Sequence, residues 1–129
     1  MPSYTFTRVL DADLATADAR AREVLAEAGF GVLTEIDMKA TMKKKLDVDM
    51  PGYTILGACN PPLAHQAVQA EPHIGAMLPC NVILREVGDG QTEVSAIDPV
   101  ASMAAIENDQ LGEVATEVRE RLQGVIAAL

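Results

Sequence analysis

Two short apolar runs, Tyr53 to Cys59 and Cys80 to Val87, carry aliphatic side chains at odd and even positions alike. Leu56 and Ala58 oppose Ile55 in the first, and Ile83 opposes Val82 and Leu84 in the second. Successive side chains of a strand point to opposite faces, so a strand that is apolar on both must be covered on both. That requirement excludes a sheet with one fully wet face. It directs the chain towards helices on one side of a sheet and a second covering surface on the other, which predicts a homodimer in which sheet or helix surfaces meet. Each run is also punctuated: Cys59-Asn60-Pro61 closes the first, and Pro79-Cys80-Asn81 opens the second. Asn followed by Pro is a helix start, with Asn as the cap and Pro at the first helical position, so a helix separates the two runs.

The remaining pattern supplies the other elements. Ser3 to Leu10, rich in Tyr, Thr, Phe and Val, reads as a first strand. Leu14, Ala17, Ala21, Val24, Leu25 and Ala28 then recur at helical spacing after a cap at Asp11 or Asp13, and Gly29 supplies the stop. Phe30 to Ile36 alternates as a half-buried strand, with Thr34 on the apolar side. Met38, Met42 and Leu46 fall four apart on a short helix. After Pro61, Leu63, Ala64, Ala67 and Val68 form one stripe; Pro72 ends that helix, and Ile74 to Leu78 is an apolar connection. Gly88-Asp89-Gly90 joins Cys80 to Val87 to Thr92 to Ile97 in a hairpin whose loop is slightly longer than the tightest type. Asp98-Pro99 starts a short helix through Ile106. From Asn108 or Asp109 a long helix carries Leu111, Val114, Ala115, Val118, Leu122, Val125, Ile126 and Leu129 in one stripe. Gly112 and Gly124 on that helix predict close packing or a partner surface. The sum is a single α+β domain over residues 1–129. It has a mostly antiparallel sheet of about five strands, two main helices packed on one face, and an order of the β-α-β-β-β-β-α kind. A chain of this size buries roughly 65–70% of its unfolded surface.

Charge and composition narrow the partners. Apolar residues are 49% of the chain but aromatics only 3%, so the core is aliphatic and no base-stacking platform is available. A net charge of −9 repels phosphate backbones and anionic membranes, which argues against nucleic acid and membrane partners. The only lysines are Lys39, Lys43, Lys44 and Lys45, a cluster that reads either as a solvated helix face or as an anion-binding patch. The first residues lack a signal-peptide pattern, and no apolar stretch approaches the ~18 residues of a membrane span. The expectation is a cytoplasmic protein with reduced cysteines.

The thiols are the chemistry-bearing residues. Antiparallel pairing of the two punctuated runs brings Cys59 and Cys80 towards one recess beside the helix that starts at Pro61, where a helix N-terminus favours thiolate. One reading is a binding or accessory module whose pocket is lined by Cys59, Asn60, Cys80 and Asn81, with Glu71 and Asp98 at its edge. It would hold a thiophilic metal on Cys59 and Cys80, or a small organic molecule. A second is a thiol-dependent redox enzyme with Cys59 as nucleophile and Cys80 as resolving thiol. A third is an interaction protein in which the cysteines only pack and the asparagines only cap. The Cys-x20-Cys separation matches no zinc-site spacing, and His65 lies off the apolar stripe of its helix. Hydrolase elbows, Walker loops, dinucleotide fingerprints and His-Glu zinc motifs are absent from the sequence.

The runs Tyr53 to Ala64 (YTILGACNPPLA), Glu71 to Val82 (EPHIGAMLPCNV) and Val94 to Pro99 (VSAIDP) resemble the domain of unknown function 302 family. The resemblance runs from about Phe30 to the end. It implies a compact α+β fold and frequent homodimers, and it implies no reaction. It marks Gly57, Cys59, Asn60, Pro61, Glu71, Pro72, Gly75, Pro79, Cys80, Asn81, Asp98 and Pro99. His65 and His73 lie outside its pattern.

Overall fold

Five strands, β1 (Thr5–Leu10), β2 (Gly31–Asp37), β3 (Tyr53–Cys59), β4 (Cys80–Gly88) and β5 (Gln91–Ile97), form one fully antiparallel sheet in the order β1-β5-β4-β3-β2. The computed structural model describes residues 4–129, so the Ser3 start expected for the first strand lies outside the described residues. The helices are α1 (Leu14–Glu27), α2 (Met38–Leu46), α3 (Pro61–Ala70), α4 (Pro99–Ser102) and α5 (Asp109–Ala128). The α+β architecture read from the sequence is the one observed.

Caps set the helix starts. Asp13, Asp37, Asn60, Asp98 and Asn108 each accept a backbone N–H of the first helical turn through a side-chain oxygen, satisfying a donor the helix itself leaves free. The apolar stripes then decide which faces are buried. Ala17, Ala21, Val24 and Leu25 of α1 and Leu122, Val125 and Ile126 of α5 pack with Leu56, Val82, Leu84, Val94 and Ala96 of the sheet in the main core. A second, smaller cluster joins Ala67 of α3, Ile74, Met103, and Leu111 and Ala115 of α5. Each fully buried Leu, such as Leu25 or Leu122, contributes about 1.5–3 kcal/mol by leaving water.

Several local expectations change, each for a reason outside the reach of local pattern. A bulge between Val32 and Thr34 shifts the register of β2, so Val32 sits opposite Ala58 while Thr34 and Ile36 sit opposite Gly57 and Ile55. Thr34 therefore leaves the face that Val32 occupies. The β4–β5 turn is tighter than expected: the strands run to Gly88 and from Gln91, leaving only Asp89 and Gly90, and the slack is taken up by an irregularity between Glu86 and Gly88. Gly90 has a φ of 71°, which favours glycine at this corner. Pro72–Met77 is a 3₁₀ helix with Ile74 buried, not a plain connection, and α4 stops at Ser102 well short of Ile106. Val68 is 43% exposed, outside the buried stripe of α3. Nothing lies within 4 Å of a Cβ built on Gly112 or Gly124, so neither marks close packing within the chain. Among the described residues, no helix is long and apolar enough to cross a membrane.

Candidate functional site

Where the end of β3 turns into α3, the main core and the second cluster fail to close on each other. A cavity of about 320 Å³ remains there, walled by Ala58 to Asn60, the inner side of α3, Leu78 to Cys80, Pro99, Met103, and the N-terminal half of α5. The space has a simple origin. α3 and α5 present Ala64, Ala67 and Ala115 to it, and β3 presents Ala58, so four methyl groups stand where a close-packed interior would need larger side chains. Phe30 and Leu33 complete the wall, and Leu33, the bulged residue of β2, is 67% exposed at the rim. Apart from two thiols and Asn60, every lining side chain is apolar.

Cys59, Asn60 and Cys80 are thus brought to one cavity wall, but the thiols do not meet as a cross-strand pair. The register sets Ala58 opposite Cys80, so Cys59, one residue on, leaves its strand from the other face of the sheet. The alternation within each run was legible; the offset between the runs was not, because it depends on pairing distant segments. Both cysteines are free thiols, Cys80 buried and Cys59 partly exposed. Burial pushes the Cys80 thiol up to about 11, and the charge of neighbouring Cys59 adds to the shift. Asn60 is 7% exposed and caps α3, its Oδ1 accepting the Leu63 N–H at 3.1 Å.

The other expected site residues lie elsewhere. Asn81 is exposed, opposite Gly57 on the sheet face away from the main helices. Glu71 is half-buried at the junction of α3 and the 3₁₀ helix, where its N–H donates to Ala67 O at 2.8 Å and its carbonyl accepts from Ile74 N at 3.0 Å. Asp98 is 6% exposed and caps α4; its Oδ1 accepts the Val100 N–H at 2.9 Å, and its Oδ2 stands 3.6 Å from Arg119 Nε. It fixes Pro99, which does reach the wall. His65 and His73 are exposed. Among the described residues, no group of three or more His, Cys, Asp and Glu side chains converges as a metal site would require. The wall residues that sequence reasoning passed over, Leu63, Ala67, Leu111, Ala115 and Val118, were all visible as helical stripes. Their signal was indistinguishable from ordinary core, since only the meeting of α3 with α5 leaves a gap between them.

Residues 6–129 match the family described as domain of unknown function DUF302. The chain belongs to the DUF302 family. Its fold is similar to the crystal structure of an uncharacterized conserved DUF302 protein from Bacillus stearothermophilus, with a TM-score of 0.89, 23% identity, and coverage of 98% of both chains. At that identity the likeness concerns the fold alone. The comparison with curated proteins returned no match. Within this DUF302 chain, Cys59, Asn60, Pro79 and Cys80 sit on or beside the cavity, whereas the Glu71, Asn81 and Asp98 side chains belong to junctions and surfaces around it.

Proposed function

We propose that the protein is a small binding module that takes up a compact apolar organic molecule in the cavity between α3 and α5, with Cys59, Asn60 and Cys80 on the wall. The observation that carries this reading is a cavity of about 320 Å³ lined almost wholly by carbon. An apolar cavity of ~150 Å³ suffices for benzene, so about twice that volume suits a bicyclic ring system or a medium-length chain. A thiophilic metal is the weaker choice for this wall. A structural metal site needs three or four converging donors, and among the described residues no third His, Cys, Asp or Glu joins the two thiols. Burial pushes the Cys80 thiol up to about 11, which speaks against a redox cycle that relies on its thiolate.

Titration with hexan-1-ol and octan-1-ol, followed by amide chemical shifts, tests the reading. Shifts should concentrate at Ala64, Ala115 and Cys80. Two further methylenes at about 0.8 kcal/mol each should tighten binding by roughly 15-fold. Ala64→Phe, which fills the space from a half-buried position, should abolish the response. Shifts scattered over the surface, or equal affinity for both alcohols, would refute it.

We also propose that two copies pair through the sheet face opposite the main helices. Ile36, Ile55 and Ile83 form one cross-strand row there, with Ile36 45% exposed. A row of that kind at the centre of a sheet face supports burial by a second copy. Sedimentation at micromolar concentration should find a dimer that Ile83→Lys dissociates, and a monomeric wild-type protein would overturn the pairing.

A further inference from the structure

A second cavity, of about 160 Å³, lies between α4 and the first turns of α5. Val100, Ala104, Ile106 and Gly112 border this cavity and not the larger one, whereas Met103, Leu111 and Ala115 line both. Side chains that face two spaces at once form the partition between them. The two chambers lie in series along one helix. α5 supplies Leu111, Val114, Ala115 and Val118 to the first, and Leu111, Gly112 and Ala115, nearer its N-terminus, to the second. Leu111 to Val118 is about 10 Å of helix, so the combined space runs lengthwise along α5.

Of the three partition residues, Met103 is the one free to move aside. Ala115 has no side-chain rotor beyond its methyl group, and Leu111, 1% exposed, is branched and held on a 20-residue helix. Met103 is unbranched, with three rotatable side-chain bonds and a thioether that adapts to irregular spaces. Its backbone stays fixed, because its N–H donates to Pro99 O and its carbonyl accepts from Ile106 N, both at 3.0 Å. A swing is therefore confined to the side chain, with empty volume on either side to receive it. Ala104 and Gly112 are exposed, and nothing stands within 4 Å of a Cβ built on Gly112, so water in the second chamber has a way out.

We infer that the ligand is an unbranched hydrocarbon chain that enters the first chamber, displaces the Met103 side chain and continues into the second. The inference rests on the apolar-cavity reading above and chooses among its ligands: a flexible chain passes a side-chain partition, whereas a fused ring of fixed width does not. An apolar cavity of ~150 Å³ holds the carbons of one benzene, or ~25 Å³ per carbon, so the first chamber fills at about 13 carbons and both together at about 19. Met103 thus sets the chain length that the protein accepts.

Calorimetric titration at pH 7 with micromolar sodium decanoate, tetradecanoate and hexadecanoate separates the two chambers, the carboxylate serving only to keep each chain in solution. Wild type is compared with Met103→Ala, which removes the partition, and Met103→Phe, whose wide ring blocks it. Each protein is its own reference, read as the ratio of hexadecanoate to tetradecanoate affinity. Two methylenes taken wholly out of water tighten binding roughly 15-fold. Hexadecanoate should bind at least fivefold tighter than tetradecanoate in wild type and Met103→Ala, and within twofold of it in Met103→Phe. In wild type the Val100, Ala104 and Gly112 amide resonances should shift with hexadecanoate and stay in place with decanoate. If decanoate binds wild type but hexadecanoate gains nothing over tetradecanoate, or gains as much in Met103→Phe, the inference falls and the cavity reading stands. If no chain binds wild type, both fall. Should a variant not fold, the wild-type amides alone decide, and their failure to shift with hexadecanoate overturns the inference.

Discussion

Alkaline conditions should destabilise this protein through Cys80 specifically. The thiol is 7% exposed, and burial, with the Cys59 charge second, raises it from an ordinary 9.0 to about 11 in the folded state. Below pH 9 the thiol is protonated in both folded and unfolded chains, and its burial carries no ionisation penalty. Between pH 9 and 11 the unfolded chain releases the proton while the folded chain retains it. The unfolded state then binds fewer protons, and stability falls as pH rises. At 1.36 kcal/mol per pH unit, the two-unit window removes about 3 kcal/mol, a large share of a small domain's net stability. Urea unfolding followed by circular dichroism at pH 7, 9, 10 and 11 under reducing conditions, on wild type and Cys80→Ala, isolates the effect, because tyrosines, lysines and arginines titrate alike in both proteins. The stability of wild type relative to Cys80→Ala should be constant up to about pH 8.5 and fall by about 2–3 kcal/mol by pH 11. A relative stability that does not change with pH would show that the thiol is solvated or already ionised, and would remove the argument against Cys80 as a redox partner.

Gly57 is hemmed in by Thr34 Oγ1 and by Pro79 Cγ, the latter 2.6 Å from a Cβ built there, so Gly57→Ala should cost about 1–3 kcal/mol in urea unfolding; an unchanged midpoint would mean that the ring of Pro79 does not press on β3. Asn108 caps α5 and ties it to α3 through Ala70 O, so Asn108→Ala should cost about 2 kcal/mol, and Asn108→Ser, which keeps the cap alone, roughly half that. Equal losses in the two variants would show that the Ala70 bond carries no weight.

Much of the architecture is written in local spacing. The stripe from Leu111 to Ile126 specifies a helix and its buried face, and Asn60-Pro61 and Asp98-Pro99 mark starts that the structure reproduces to the residue. These signals survive because caps and periodicity act over a single turn. The candidate site was legible only in part. Cys59, Asn60 and Cys80 reach one cavity, yet Asn81 points away from it, and Leu33 and Ala64, which border the opening, carry no chemical mark in a sequence. The bulge at Leu33 reassigned Thr34 to the other face, since one extra residue in a strand reverses every side chain beyond it.

The sequence by itself determined the kinds of element, their order, the aliphatic core and the helix starts, because each depends on residues a few positions apart. Only the tertiary structure decided that the two cysteines leave opposite faces of the sheet, and where Ala58, Ala64, Ala67 and Ala115 leave room. A cavity is a difference between the volumes of segments far apart in the chain, and strand register is an agreement between them. Neither exists until the segments meet.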